Sequence, residues 1–194
     1  MGSTAVPRLA TERLLLREWQ ASDLDAHAAM AADPEVMRYL GGVLDRSKSW
    51  RQMAVHAGHW ALRGYGNWVV ERRADGTMLG RVGLWNPEGW PGLEVGWKLA
   101  RHAWGNGYAI EAATLAMDWA WTVLGADRLI SVIRPENAAS VRVAERLGLR
   151  PTGSGMIEGQ RVEIYAVERP AALAGRRLMV RQALEHAERR IHAR

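Results

Sequence analysis

The stretch that decides the fold is residues 93–112, LEVGWKLARHAWGNGYAIEA. Its first part, residues 93–100, alternates apolar with small or polar side chains, which predicts a half-buried strand. Apolar residues at helical spacing follow from Ala109, and this pattern predicts a helix that continues to Leu124. Gly105-Asn106-Gly107 lies between the two. The stretch therefore predicts a strand, a glycine turn and a long helix in that order.

The glycine turn is a candidate anion site. The first N–H groups of a helix have no partner within the helix, and they lie at the positive end of its dipole. Glycines at Gly105 and Gly107 would let a phosphate approach the backbone closely. The dinucleotide fingerprint fails because Ile110 stands where a third glycine is needed, and there is no Walker A sequence. Taken alone, the turn is either a plain turn or a phosphate site.

The rest of the chain extends this unit on both sides, and the whole predicts the element order β, αα, βββ, α, β, α, ββ. The predicted strands begin or lie at residues 13–19, 68–70, 78–84, 93–100, 128–133 and the hairpin 156–167, and the predicted helices at 22–32, 33–39, 49–62, 109–124 and 137–147. Asp75-Gly76 predicts a tight hairpin turn, and Asn137 predicts a helix cap.

Several of these segments resemble one family in the right order. Residues 93–99 and 104–112 are similar to the central strand and pyrophosphate loop of GNAT acetyltransferases, especially the branch typified by the RimJ/RimL ribosomal-protein N-terminal acetyltransferases. RPENAAS at 134–140, followed by Leu147-Gly148, resembles the second motif of that branch. TERLLLR at 11–17 resembles its first strand. His102 departs from the Gln or Arg that the family prefers there, and Leu149 replaces its usual aromatic residue.

The resemblance implies an α/β (α+β) GNAT fold, with a mixed, mostly antiparallel central sheet of about seven strands flanked by helices. It places the acetyltransferase domain at residues 1–167. The tail beyond Pro170 lies outside the resemblance, and its helical spacing predicts an extra C-terminal helix. Residues 168–194 would form a basic helical extension, packed on the domain or on a second subunit. A homodimer is a family-level expectation.

The resemblance also implies acetyl-CoA as cosubstrate and no metal. The residues that would bind acetyl-CoA are Leu99, Ala100, Trp104, Gly105, Asn106, Gly107, Tyr108, Ala109 and Asn137. Most of these contacts would come from main-chain groups.

Amide formation requires a neutral amine, donors for the developing oxyanion and a proton for the thiolate. The family uses direct attack, so the absence of cysteine is no objection. Glu94 lies where related enzymes often carry a carboxylate that takes a proton; the alternative is a solvated strand residue beside Lys98. Ser140 matches a position proposed as the thiolate proton donor; the alternative is an early-helix serine bonded to backbone. Tyr165 is a rival acid or a core residue, and Glu158 is a weaker candidate base.

Two other groups of side chains allow a functional and a structural interpretation. His56 and His59 lie three apart on a predicted helix and could bind a metal, but no third ligand has suitable spacing, so we expect an exposed pair. Trp85, Trp90 and Trp97 could hold a cationic amine by cation–π contact, but core packing is the expected role.

Composition limits the class of protein. The 194 residues are 48% apolar and 24% charged, which are ordinary values for one globular domain. The sequence has no cysteine, which excludes a disulfide scaffold and a thiolate site and fits a reducing cytoplasm. No run approaches the roughly 18 apolar residues of a membrane span. We expect a cytoplasmic protein with no membrane partner.

The formal net charge of +5 is unevenly distributed. From Glu168 onward there are seven arginines and three glutamates, which leaves the main domain nearly neutral. This tail is either a nucleic-acid arm or an amphipathic helix, and its helical spacing favours the helix. A nucleic-acid partner is therefore not expected.

The sequence predicts an acetyl-CoA-dependent N-acetyltransferase that acts on a primary amine, either a protein N-terminus or a small molecule. The alternative is a noncatalytic acyl-CoA-binding regulator that keeps the phosphate loop and lacks proton transfer. Loops near residues 40–48 and 86–92 and the last hairpin would choose the acceptor, and they hold no readable code.

Overall fold

The structure is a computed structural model that describes residues 5–173. Its strands, numbered in chain order, are β1 (Leu9–Ala10), β2 (Leu14–Arg17), β3 (Asn67–Arg72), β4 (Thr77–Trp85), β5 (Glu94–Leu99), β6 (Arg128–Ile133), β7 (Arg150–Ile157) and β8 (Gln160–Glu168). Its α-helices are α1 (Leu24–Ala32), α2 (Pro34–Met37), α3 (Arg46–Arg63), α4 (Tyr108–Trp119) and α5 (Ala138–Arg146).

All eight strands belong to one sheet, in the order β1-β2-β3-β4-β5-β6-β8-β7. Every neighbouring pair is antiparallel except β5 and β6, which run parallel. A parallel pair needs a crossover connection, and α4 supplies it. The mixed, mostly antiparallel sheet flanked by helices confirms the predicted α/β (α+β) architecture.

Local chemistry fixes the ends of the helices. The Asp45 side chain accepts a hydrogen bond from the Lys48 N–H at 2.7 Å, so α3 begins at Arg46 rather than at the predicted Ser49. Gly64 ends the same helix in the left-handed conformation, with φ of 73°. At α5, the Asn137 side chain accepts from the Ser140 N–H at 3.2 Å, which confirms the predicted cap.

The two faces of the sheet differ in polarity. The face toward α4 and α5 carries the main apolar core, including Trp68, Leu84 and Val95, which are fully buried. On the opposite face, α1 and α3 cover the central strands, and several of the buried side chains there are polar. Burial of apolar side chains on the first face therefore provides most of the stability of the fold, and the second face carries buried polar groups.

Three details differ from the sequence prediction. The sheet has eight strands rather than about seven, because β1 adds a two-residue edge strand. β7 begins at Arg150 instead of Met156, since the exposed edge strand includes Pro151 and three residues without strong strand preference. The helix predicted to reach Leu124 is an α-helix only to Trp119 and ends in a π-helical turn.

The C-terminal extension lies mostly outside the described residues. β8 runs one residue past the predicted domain boundary, to Glu168, and a short 3₁₀ turn follows at Ala171–Leu173. Residues 174–194, which carry most of the tail's arginines, are not described, so the predicted basic helix stays a prediction. Within residues 5–173, no helix is both long and apolar enough to cross a bilayer.

Candidate active site

The sheet opens between β5 and β6. The two strands share one registered pair, Glu94 with Ile130, and the Ile130 N–H donates to the Leu93 carbonyl at 2.9 Å. Beyond that pair, side chains replace strand-to-strand bonds: the Ser131 hydroxyl donates to the Val95 carbonyl, and the Val132 N–H donates to Glu94 Oε1 at 3.2 Å. A cleft therefore begins at Glu94 and widens toward the carboxyl ends of both strands.

Backbone groups of β5 face this cleft. The Ala100 N–H donates to the Leu79 carbonyl at 2.8 Å, on the β4 side. Because successive N–H groups of a strand point to opposite edges, the amides of Trp97 and Leu99 point toward β6. Of the two predicted contacts at the end of this strand, the Leu99 amide faces the cleft, whereas the Ala100 amide is already bonded within the sheet.

The Gly105-Asn106-Gly107 turn has the geometry that a phosphate needs. Both glycines have φ of 78°, and a Cβ at Gly105 would meet no atom within 4 Å. The Asn106 side chain turns inward and donates to the carbonyls of Ala103 at 3.3 Å and Trp104 at 2.9 Å. The Glu111 N–H bonds the Gly107 carbonyl at 3.1 Å, so the amides of the preceding first turn of α4 remain available to a ligand. These residues fit the pyrophosphate of acetyl-CoA.

Arg13, at the start of β2, braces this turn. Its Nη1 donates to the Asn106 carbonyl at 3.2 Å, and its guanidinium lies 4.8 Å from the centre of the Tyr108 ring. It also forms an ion pair with Glu111 in the first turn of α4. The pair offsets a carboxylate that would otherwise oppose a phosphate at the same helix end. Sequence reasoning placed Arg13 only in a strand, because nothing local to it signals a contact with the turn.

The other rim of the cleft is the start of α5. The Ser140 hydroxyl accepts a hydrogen bond from the Trp97 indole N–H at 3.3 Å. Since the hydroxyl accepts from Trp97, its own proton is free to be donated elsewhere. Trp104 lies at the opposite end and donates to the Leu99 carbonyl at 2.8 Å. Predicted residues from β5, the glycine turn and α5 thus meet around one opening.

Residues 13–150 of this chain match the family model described as Acetyltransferase (GNAT) domain. The chain belongs to the GNAT acetyltransferase family. It is 33% identical over 152 residues to the uncharacterized protein YkkB of Bacillus subtilis (strain 168), covering 75% of this chain and 86% of that protein. It is 30% identical to the uncharacterized N-acetyltransferase p20 of Bacillus licheniformis, covering 75% and 83%.

A solved structure gives the same result. The acetyltransferase from Agrobacterium tumefaciens str. C58 has a TM-score of 0.78 and 29% identity, covering 87% of this chain and 98% of that one. This GNAT protein is therefore an acetyl-CoA-dependent N-acetyltransferase, as predicted.

Glu94 has the electrostatic environment of a proton acceptor. Burial raises the pKa of its carboxyl to about 7, while the hydrogen bond from Val132, the hydrogen bond from Trp90 and the charge of Arg81 act in the opposite direction. The Trp90 indole donates to Glu94 Oε2 at 2.7 Å. A carboxylate with a pKa near neutrality can take a proton from an ammonium group at physiological pH and release it again. The structure therefore does not place Glu94 as a freely solvated strand residue.

A polar cluster lies beyond Glu94 on the same face of the GNAT sheet, and it was not predicted. Arg81 of β4 lies directly opposite Lys98 of β5. The histidines His27 of α1 and His56 of α3 are buried nearby, and none of their ring nitrogens has a hydrogen-bond partner among the described residues. Burial lowers the pKa of His27 to about 3, with Lys98 and Arg81 adding to the effect. Both histidines are therefore neutral at pH 7.

The expectation of an exposed His56–His59 pair is wrong. Their relative exposures are 4% and 7%. His59 bonds the Tyr65 carbonyl through Nδ1 at 2.7 Å and accepts from the Asn86 N–H through Nε2 at 3.3 Å. Neither histidine belongs to a metal-type cluster within residues 5–173. The polar side of α3 faces the sheet because the facing strands themselves carry polar groups.

The remaining residues that were predicted as candidates do not lie together. Trp85 stacks on His59 with ring centroids 4.5 Å apart, Trp90 bonds Glu94, and Trp97 bonds Ser140 from the other side of the sheet. They do not form one aromatic cage. Glu158 is exposed in the last hairpin, with φ of 49°.

Tyr165 lies in the main core, 5% exposed, and its hydroxyl donates to Glu163 at 3.2 Å. Burial raises its pKa above the usual value for tyrosine. His102 is exposed and lines a cavity of about 310 Å³ between α1 and the ends of β4 and β5. It does not support the glycine turn from within the loop.

Proposed function

We propose that this enzyme transfers the acetyl group of acetyl-CoA to a primary amine by direct attack, with Glu94 as the proton acceptor and Ser140 as the proton donor. The observation that carries this proposal is the opening of the sheet at Glu94. The proposal is supported by the pKa of the Glu94 carboxyl near 7, by the strand amides that lack a partner in β6, and by the Ser140 hydroxyl, which accepts from Trp97 of β5.

The proton transfers follow from these positions. Glu94 removes one proton from the incoming ammonium group, directly or through a water. The neutral nitrogen forms a bond to the thioester carbonyl carbon, and the amides of Trp97 and Leu99 stabilise the oxyanion that develops. The carbon–sulfur bond then breaks. Ser140 donates a proton to the sulfur and is reprotonated by the second proton that the nitrogen loses.

The glycine turn contributes binding and orientation. Amides of Gly105 to Ala109 would hold the pyrophosphate, and Arg13 keeps the turn in shape. Asn137 acts through the cap that orients Ser140 at the start of α5. The acceptor enters from the side of Glu94 and Trp90.

An acceptor screen tests the proposal. Release of free thiol from acetyl-CoA is measured with peptides that begin with Ala, Ser or Met, with polyamines, with aminoglycosides and with free amino acids. We expect at least one class to release thiol well above the rate without acceptor, and Glu94→Gln to abolish most of the gain. Binding of acetyl-CoA without acceptor-dependent thiol release in every class would overturn the proposal.

Two broader properties belong to the same proposal. We expect a cytoplasmic enzyme, because the sequence lacks cysteine and the residues described contain no candidate membrane span. We also expect a homodimer, which light scattering of the full chain would test. A monomer at micromolar concentration would contradict that expectation and leave the chemistry unaffected.

A further inference from the structure

The cations on this face of the sheet are of two kinds: some form ion pairs with carboxylates and others do not. Arg17 is bonded to two carboxylates, Asp23 at 2.7 Å and Glu71 at 2.6 Å. Arg81 and Lys98 lie in the same row across the sheet as Arg17, since the register pairs Arg17 with Val69, Val69 with Arg81 and Arg81 with Lys98. Within residues 5–173, neither of these two cations has a carboxylate within the 4.0 Å of an ion pair. Glu94 is a carboxylate whose charge acts on Arg81, but it forms an ion pair with neither of these two adjacent side chains.

The partners they do have are neutral. Arg81 Nη1 donates to Asn67 Oδ1 at 2.7 Å, while its Nε is buried with no partner among the described residues. Lys98, which is 3% exposed, donates to Gln52 Oε1 at 2.8 Å. Buried charges in proteins are normally paired, because an unpaired one has a large desolvation penalty. The missing partner points to an anion that arrives with a ligand.

The position of this cation pair relates it to Glu94. Glu94, Gly96 and Lys98 share one face of β5. Gly96 is half-exposed, and a Cβ there would meet Glu94 Oε1 at 3.7 Å, so the Glu94 carboxylate lies next to Gly96, between the two positions. Arg81 bonds Asn67, whose registered partner is Gly83, opposite Gly96. The charges of Arg81 and Glu94 act on each other's pKa.

We propose that the acceptor of this enzyme carries a carboxylate in addition to its reacting amine, and that Arg81 and Lys98 bind that carboxylate while Glu94 faces the amine. This inference rests on the proposed function, because it assigns the acceptor of the same reaction. An amino acid or a peptide with an acidic residue next to its N-terminus has this chemistry.

Electrostatics supports the assignment. Burial, with the charge of Arg81 adding to it, lowers the pKa of Lys98 to about 6, and a bound anion would favour its charged form. A carboxylate would also satisfy the unpartnered Arg81 Nε. A polyamine would bring further positive charge to the same place, and among the residues that the structure describes only the carboxylate of Glu94 acts on Arg81 there.

Matched acceptor pairs test the inference. Acetyl transfer to glycine, β-alanine and 4-aminobutyrate is compared with transfer to the amide of each, in which the carboxylate is neutral. A second arm compares peptides that begin Ala-Asp or Ser-Glu with those that begin Ala-Asn or Ser-Gln. We expect kcat/KM to be at least tenfold higher for the carboxylate member of at least one pair. The arm that shows the preference identifies the source of the carboxylate.

Variants assign the preference to residues. Arg81→Gln keeps a donor for Asn67, and Lys98→Met keeps the volume of the side chain. Each should reduce the ratio of acid to amide turnover severalfold, mainly through KM of the acid; the ratio cancels any effect of the variant on the pKa of Glu94, which both acceptors share. Arg46→Gln is the control, since Arg46 is 63% exposed and pairs with Asp25 on the surface. The ratio of acid to amide turnover in Arg46→Gln should equal that of the wild type.

The outcomes separate the two claims. Acetyl transfer with no preference for the carboxylate member in any pair overturns this inference and leaves the proposed function standing. A preference that survives in both Arg81→Gln and Lys98→Met also overturns it. No transfer to any acceptor in this panel or in the broader screen overturns the proposed function itself. Thermal unfolding of each variant shows that it is folded.

Discussion

The strand β5 has six residues, and its two faces have opposite roles. On one face, Val95 and Leu99 are buried against α4 and belong to the main apolar core. On the other, Glu94 and Lys98 are surrounded by protein with few charged partners, and both have pKa values shifted toward neutrality. The apolar face holds the strand in place by burial. The polar face opposes folding and carries the chemistry, so stability and activity should respond to different substitutions.

The largest effect should come from the polar face. Glu94→Gln keeps the shape of the side chain and its hydrogen bond from Val132, but removes the proton acceptor. We expect kcat to fall by about 10²- to 10⁴-fold, the usual contribution of general base catalysis, with little change in melting temperature. Steady-state thiol release and calorimetry measure the two quantities. Glu88→Gln, in the exposed loop before β5, is the control and should retain activity; a loss below threefold for Glu94→Gln would contradict this role.

The apolar face should govern stability instead. Leu84 of β4 is fully buried and pairs in register with Val95. Leu84→Ala should lower the free energy of unfolding by about 2–5 kcal/mol, through lost burial and the cavity left behind. Urea unfolding measures it. Leu62→Ala, at a residue 86% exposed on α3, should change it by less than about 0.5 kcal/mol. Similar losses for the two variants would mean that the core is not where the structure places it.

A substitution in the glycine turn, which follows β5, should change both stability and activity. Gly107 has φ of 78°, and a Cβ there would meet nothing closer than Arg13 Nη2 at 3.8 Å. Gly107→Ala should therefore act through backbone strain of about 1–2 kcal/mol rather than through a clash, and KM for acetyl-CoA should rise about tenfold. The control is Gly58→Ala inside α3, where nothing lies within 4 Å of a Cβ and alanine favours the helix. An unchanged KM in Gly107→Ala would exclude the turn from acetyl-CoA binding.

Lys98 should make the stability of the fold depend on pH. Its pKa is about 6 in the folded protein and 10.5 when unperturbed. Between these values the unfolded state binds more protons, so this residue makes the fold more stable as pH rises, by at most about 1.4 kcal/mol per pH unit. Glu94 titrates near 7, so unfolding is compared at pH 7.5 and 9.5. Lys98→Met should show a smaller rise than the wild type, and equal rises would contradict the assignment.

The glycine turn and the Asn137 cap could be predicted from sequence because local chemistry builds them. Gly105, Gly107 and Asn137 act through the backbone conformation of their own segments, whereas their proposed role in binding acetyl-CoA came from the family resemblance and not from spacing. β6 was predicted at its observed bounds, since its apolar run leaves no alternative. Even here, the brace from Arg13 could not be predicted, because it depends on how β2 lies against α4.

Apart from Glu94, the proposed acceptor half could not be predicted, because tertiary structure builds it from single residues. Arg81, Lys98, His27 and His56 come from four elements, and each sits alone in its segment. The spacing of His56 and His59 indicated an exposed pair, yet the polar side of α3 is its buried side. Only the sheet register shows that Arg81 faces Lys98, and only the opening between β5 and β6 shows that Glu94 reaches the cleft.

The pH dependence of kcat/KM tests the central claim most directly, that Glu94 takes the proton of the acceptor amine. Acetyl transfer to the best acceptor is measured from pH 5.5 to 9 in the wild type, in Trp90→Phe and in Glu94→Gln. The wild type should lose activity below an apparent pKa near 7. In Trp90→Phe this loss of activity should shift to higher pH, because the indole stabilises the charged carboxylate. In Glu94→Gln the dependence on this pKa should disappear. A loss of activity at the same pH in all three proteins would contradict the assignment of Glu94 as the base.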